Sequence, residues 1–116
     1  MTLIKKFDVL LVNFNPARGT MPGKIRPAIV IQTNSLNKVG HPSTLVIPIS
    51  SKAYQNTSIL RIKIEASSSN GLDKISFAVL DQLTAIDSSK IKQRIGELDL
   101  ISKSDIMYGL KSIFDF

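Results

Sequence analysis

The chain is a succession of short β-forming runs, each stopped by turn chemistry before it reaches the length of an ordinary helix. That pattern admits a small sheet and little else. Asp8–Phe14 (DVLLVNF) stops at Asn15-Pro16, and Ala28–Gln32 follows Pro27, whose missing N–H is tolerated where a strand begins. Thr44–Ile49 carries Pro48 inside it, which points to an edge position or a bulge. Ile59–Glu65 alternates apolar and charged residues, the period of a half-buried strand, and a fifth strand is expected from Ile75 to Gln82 or Leu83. The tail then changes period. Asp87 or Ser88 is placed to cap a short helix over 90–95 that stops near Gly96. Ser102 and Asp105 stand in capping-box spacing before Ile106, Leu110, Ile113 and Phe114, which share one helical face. The expected architecture is mainly β: a strongly bent antiparallel sheet or small barrel with a terminal helix packed on it, forming one domain over residues 1–116.

Several functions are excluded by what the 116 residues lack. There is no cysteine, so a thiol nucleophile, a disulfide frame and a Cys-ligated metal are out, and one histidine, His41, cannot serve chemistry that needs two. The acids are scattered without metal-ligand spacing, Gly19, Gly23 and Gly40 form no nucleotide fingerprint, and no G-x-S-x-G elbow occurs. Neither a metal nor an organic cofactor is expected. No apolar run approaches a membrane span, and the opening residues MTLIKKFD lack the apolar centre of a secretory signal, so the chain is expected to act in the cytoplasm.

Charge is what remains informative. Residues 1–64 hold nine Lys/Arg against Asp8 alone, a balance of +8, whereas residues 65–116 hold six against eight acids, a balance of −2. A basic half suggests an anionic partner met on one face, and phosphate backbones are the usual one. The stretch Asn15–Arg26 (NPARGTMPGKIR) reads as a long exposed loop carrying Arg18 and Lys24 and leading into Arg26. Ser50 and Ser51 follow the third strand, and Asp81 and Gln82 close an apolar one. If those strand ends converge, cations, hydroxyls and one carboxylate meet at a rim. Such a set suits cleavage of RNA, which carries its own nucleophile in the 2′-hydroxyl. A guanidinium neutralises the developing phosphorane and stays protonated at neutral pH. A bland use exists for each residue. Arg26 can pair with Asp8 or Asp81, Ser50 and Ser51 can bond turn backbone, and Asp81 and Gln82 can satisfy a strand end.

The ordered motifs resemble a known family. Asp8-Val-x-Leu-Val-x-Phe-x-Pro-x-x-Gly19-Thr20, followed by Gly23-Lys24-Ile25-Arg26-Pro27 and its apolar strand, is similar to the opening of the MazF/PemK/Kid toxin endoribonucleases. Thr44–Ser50, Val79–Asp87 and Lys92–Leu98 resemble later segments of that family in the same order. The resemblance implies an SH3-like barrel with a C-terminal helix, a homodimer, and an acidic antitoxin as partner. It also implies metal-free, sequence-specific cleavage of single-stranded mRNA to 2′,3′-cyclic phosphate and 5′-hydroxyl ends. The catalytic arginine of the R-P step carries over to Arg26, and the hydroxyl ending the third strand to Ser50, where Thr is frequent. Arg18, Thr20, Lys24, Ser51, Asp81 and Gln82 carry over as candidate substrate contacts.

The departures are specific. Phe7 replaces the usual Gly before Asp8, and Met21-Pro22 replaces the common Glu-Gln of the first loop. Val79 stands where the Kid/PemK branch carries a catalytic Arg, and His41 does not match that branch's loop histidine. Two other readings of the same fold therefore stay open: a gyrase-directed toxin resembling CcdB, and a relative that binds RNA or antitoxin without cutting.

Overall fold

The computed structural model describes residues 3–15, 24–52 and 60–116. Seven strands are present: β1 Asp8–Asn13, β2 Ile25–Val30, β3 Ser43–Ser50, β4 Arg61–Ile64, β5 Ser76–Val79, β6 Thr84–Asp87 and β7 Ile91–Glu97. Two helices join them, a single turn α1 (Asn34–Asn37) and the terminal α2 (Leu100–Phe114). All strand pairs are antiparallel, in the order β4-β5-β3-β2-β1-β7, with β6 also paired to β3. A 3-10 turn over Ser88–Lys90 leads directly from β6 into β7. That link carries the chain from the edge at β3 round to the edge at β1, so β7-β1-β2-β3-β6 curl into the small barrel expected from the sequence.

The barrel explains why β1, β2 and β3 read as continuous apolar runs rather than alternating ones: both of their faces are buried. Leu10, Val12, Ala28, Val30, Val46 and Ile86 point one way, with Phe14, Ile4 and Ile91, and form the barrel interior. Val9, Ile29, Ile47 and Ile49 point the other way and pack with Ile64, Ala78, Leu80, Ile106 and Leu110 beneath α2. Burying each such side chain contributes roughly 1.5–3 kcal/mol, so the two layers together order most of the chain.

Pro48 is accommodated as its position predicted. It pairs with Ala28 on the β2 side, while on the other side five residues, 79–83, face only Ile47 and Pro48 across the break between β5 and β6. No ladder donor is needed there. Other expectations are corrected. β2 begins at Ile25, so Arg26 and Pro27 lie inside a strand; the ladder to β3 starts only at Ala28, which leaves Pro27 with β1 alone. The fifth strand stops at Val79, and Leu80–Gln82 form a 3-10 turn. Ile59 falls outside the described residues.

The expected helix over 90–95 is strand β7. Its i, i+4 pair Ile91 and Ile95 fits a helix, but the exposed ladder of β1 recruits the segment instead, with irregularities between Val9 and Leu10 and between Leu11 and Val12. Gly96 does not stop a helix; it lets Ser69 and Asn70 approach to 2.4 Å of where a Cβ would stand. Asp87 does cap, accepting the Ser89 N–H at 3.0 Å, but the element it starts is the 3-10 turn. In α2 the cap is Asp99, accepting from the Ser102 N–H at 2.7 Å, rather than Ser102 itself. Ile106 and Leu110 are buried and Ile113 packs against them, whereas Phe114 is 55% exposed beside Phe116. Phe7 adopts φ +74°, the left-handed region where glycine is at ease, and its ring packs on the outer core.

Candidate functional site

The candidate site sits where β2 enters and β3 leaves the sheet. The stem of the first loop is stapled there by short-range bonds. Asn15 Oδ1 accepts the Lys24 N–H at 2.7 Å, the Phe14 N–H donates to the Lys24 carbonyl at 2.9 Å, and Lys90 Nζ donates to the Asn15 carbonyl at 2.8 Å. Lys24 takes φ +70° to make the turn. Arg26 follows two residues later, paired with Val12 of β1, so its backbone is held by the ladder rather than by the loop.

The printed partners of β2 and β3 are Val30 with Val46, Ile29 with Ile47 and Ala28 with Pro48. That ladder ends at Ala28 and Pro48, so Arg26, two residues before it, and Ser50, two residues after it, stand at the same end of the two strands but beyond their last pair. Ser50 is paired instead with Phe77 of β5. Ser50 is buried, and its Oγ accepts the Lys52 N–H at 3.2 Å. It therefore does serve a turn, yet a hydroxyl that accepts one bond still has its own proton to donate.

The two carboxylates weighed as partners of Arg26 are each bonded to another guanidinium. Asp8 is buried and lies 3.1 Å from Arg94 Nε, and Asp81 forms an ion pair with Arg61. Asp81 and Gln82 thus stand on the 3-10 turn after β5, with Asp81 tied to β4, rather than at a strand end. Ser51, the next residue, lines a cleft of about 420 Å³ together with Lys24, Ile25, Arg26, Pro27 and Ile49, so the cleft brings Arg26 together with Ser51, and Ser50 is not part of its lining. Arg18 and Thr20, and with them Met21 and Pro22, lie outside the described residues. His41 is half-buried on a separate cleft of about 510 Å³ beside Lys38 and Lys92.

Two features of this region were missed in the sequence reading. Arg61 is one; its signal was the charge in an otherwise apolar alternation, which was read only as a solvent face. Phe77 is the other. It sits on β5 directly opposite Ser50, half-buried and packed in neither core. Among the described residues no helix is long and apolar enough to cross a membrane.

Comparison with known proteins places this geometry in context. Residues 5–114 match the family described as PemK-like, MazF-like toxin of type II toxin-antitoxin systems. A curated relative, the endoribonuclease MazF of Staphylococcus saprophyticus, is 28% identical and covers 96% of both chains. Among solved structures, MazF of Deinococcus radiodurans superposes with a TM-score of 0.81 at 19% identity over 100% of each chain. A MazE–MazF structure from the same organism gives 0.76 at 18% identity, covering 99% of each.

Proposed function

We propose that this chain, which belongs to the PemK-like, MazF-like toxin family, is an endoribonuclease that cuts single-stranded RNA at the rim formed by Arg26 and Ser50. The observation that supports the reading is that Arg26, near the start of β2, and Ser50, at the end of β3, stand at the same end of two antiparallel neighbours, each two residues beyond their last pair, Ala28 and Pro48. The 2′-oxygen of the substrate attacks the adjacent phosphorus and loses its proton. The bond to the 5′-oxygen breaks, and that oxygen takes up a proton. The products are a 2′,3′-cyclic phosphate and a 5′-hydroxyl, with no metal and no protein nucleophile in the path.

Arg26 faces the phosphate and neutralises the charge that builds on its non-bridging oxygens, a role its planar, permanently charged fork suits. Ser50 Oγ donates to one of those oxygens. Preorganised donors of this kind are worth about 10²–10³ in rate each. Lys24 and Ser51, on the adjoining cleft, take the flanking strand together with Arg18 and Thr20 of the first loop. Asp81 and Gln82 support the opposite bank from the 3-10 turn. Single strands fit because their base edges are open to be read. In this reading the protein acts in the cytoplasm as a homodimer, and an acidic antitoxin that covers the basic half silences it. MazE–MazF complexes among the structural relatives support such a partner.

The test is cleavage of a long single-stranded RNA by purified protein in EDTA, with Arg26→Ala alongside and the ends mapped. Discrete cuts with cyclic-phosphate and 5′-hydroxyl ends, absent in the variant, are expected. A folded, antitoxin-free sample that cuts nothing and inhibits gyrase instead would replace this reading with the CcdB-like one.

A further inference from the structure

One row of side chains crosses three strands at the level of Ser50. Ser50 pairs with Phe77 of β5, and Phe77 pairs with Lys63 of β4. Arg26 stands at the same end of the neighbouring strand β2, beyond the last β2–β3 pair. Directly opposed residues share a face with Cβ atoms about 5 Å apart, so the row spans about 10 Å. Its neighbours along the strands, Ile49, Ala78, Ile62 and Ile64, pack beneath α2, which puts the row on the face turned away from that helix.

Among the described residues Phe77 packs in neither apolar core. An aromatic ring that is half-buried, absent from both apolar cores and flanked by a hydroxyl and an ammonium presents a π-face to whatever lies on the sheet. Lys63 beyond it is 58% exposed, and its approach to Glu65 at 3.7 Å is an exposed pair that contributes little. Two residue pairs further along the ladder Arg61 stands opposite Val79 on the same face, oriented by Asp81. Cations that track a phosphate backbone, alternating with a ring on which a base stacks, are the elements of single-strand binding.

We infer that Phe77 is the stacking platform for the base next to the scissile phosphate, and that Lys63 holds the phosphate beyond it. Substrate thus crosses the strands from Arg26 over Ser50 and Phe77 toward β4. The inference rests on the ribonuclease reading of Arg26 and Ser50 and deepens it. Asp81 then acts on substrate through Arg61, as a positioning residue.

The experiment uses the full chain and a 2′-O-methylated single-stranded RNA carrying the mapped cleavage sequence, which binds but cannot be cut, together with copies abasic at each nucleotide flanking the cut. Phe77→Leu is expected to weaken binding of the intact strand about 5- to 100-fold, raising KM far more than it lowers kcat. One of the abasic copies should lose a similar factor with the native protein and lose nothing more with Phe77→Leu. Lys63→Gln should reduce the salt dependence of binding by about one phosphate contact. The chain has no tryptophan, so Phe77→Trp installs a single indole at the platform. Its fluorescence should be quenched by the intact strand and not by polyglutamate.

Equal losses for intact and abasic strands overturn the inference, as does an indole that the RNA leaves unchanged. Quenching by polyglutamate as strong as by RNA also overturns it, because the surface then reads as a groove for acidic protein. If the native protein cuts no RNA and Arg26→Ala changes nothing, the ribonuclease reading itself has failed. If the native protein cuts and only the Phe77 variants behave as native, the platform alone is wrong.

Discussion

The two ends of the β2–β3 ladder use polar residues in opposite ways. At the end near Gln32 and Thr44, the polar side chains are sealed into one another. Gln32 Nε2 donates to Asn37 Oδ1 at 3.1 Å, Gln32 Oε1 accepts the Leu45 N–H at 3.2 Å, and Asn37 Nδ2 donates to the Gln32 carbonyl at 3.0 Å. Thr44 Oγ1 lies 2.7 Å from Ser88 Oγ, which donates to the His41 carbonyl at 2.8 Å. Gln32, Asn37 and Thr44 are all buried. At the other end, six residues and about 20 Å along β2, Arg26 lines an open cleft, and buried Ser50 bonds the Lys52 N–H. One end closes the fold, and the other is the end proposed to meet the substrate. A buried polar group must find its partners within the protein, whereas one lining a cleft can find them in a ligand.

The comparison can be broken by experiments that exchange the two behaviours. Arg26→Ala is expected to have the largest effect, lowering cleavage by at least about 10²–10³-fold while shifting stability by no more than about 0.5 kcal/mol; denaturant melts beside the cleavage assay decide it. Ser50→Ala should lower cleavage by roughly 10²-fold and cost about 1 kcal/mol through the Lys52 N–H it abandons. Ser50→Thr, which only adds a methyl, should keep the chemistry. A Ser50→Ala protein that cuts at the native rate would assign the hydroxyl to the turn alone.

The sealed end should respond the other way. Gln32→Leu leaves Asn37 Oδ1 and the Leu45 N–H without partners and is expected to cost about 2–3 kcal/mol, with cleavage per folded molecule unchanged. Thr44→Val should cost about 1 kcal/mol, since Ser88 keeps its bond to the His41 carbonyl. The smallest effect is a pH dependence. The backbone N–H and hydroxyl of Ser89 hold the Asp87 carboxyl below its usual range. A carboxyl lowered in the folded state adds stability above its unfolded pKa and loses it as pH falls through the folded value. Asp87→Asn should therefore flatten the acid limb of the stability curve and slightly lower the level above pH 5, without changing its slope there. Loss of cleavage in Gln32→Leu or Thr44→Val at full folding would show that the sealed end is part of the site after all.

The sequence and the structure agree unevenly, and the reasons are local. The runs VLLV, AIVI and TLVIPI declared strands because β-branched side chains suit a pleated, packed surface, but their lack of alternation was the sign of burial on both faces. Pro48 announced an irregularity correctly, since proline cannot donate to a ladder wherever it is placed. Segment 90–95 misled because Ile91 and Ile95 satisfy a helical spacing, and only the bare edge of β1 decides for a strand. Phe7 was visible as a departure from glycine, and its φ of +74° shows what the position asks of the backbone. Arg26 and Ser50 were legible as types of residue at strand ends; that Arg26 stands opposite Val12 and Ser50 opposite Phe77 was not.

By itself the sequence determined the composition of the answer: a small mainly β domain, a basic half, a toxin-family signature, and the stock of guanidinium, ammonium, hydroxyl and carboxyl groups without a thiol from which any proposed site must be drawn. Those follow from local propensity and from which functional groups exist in the chain at all. The tertiary structure decided the pairings. Register sets which residues share a row, and a slip of one residue would turn Ser50 to the face now held by Ser51. Register in turn is set by long-range burial of two apolar layers against each other, an energy that no short window of sequence contains.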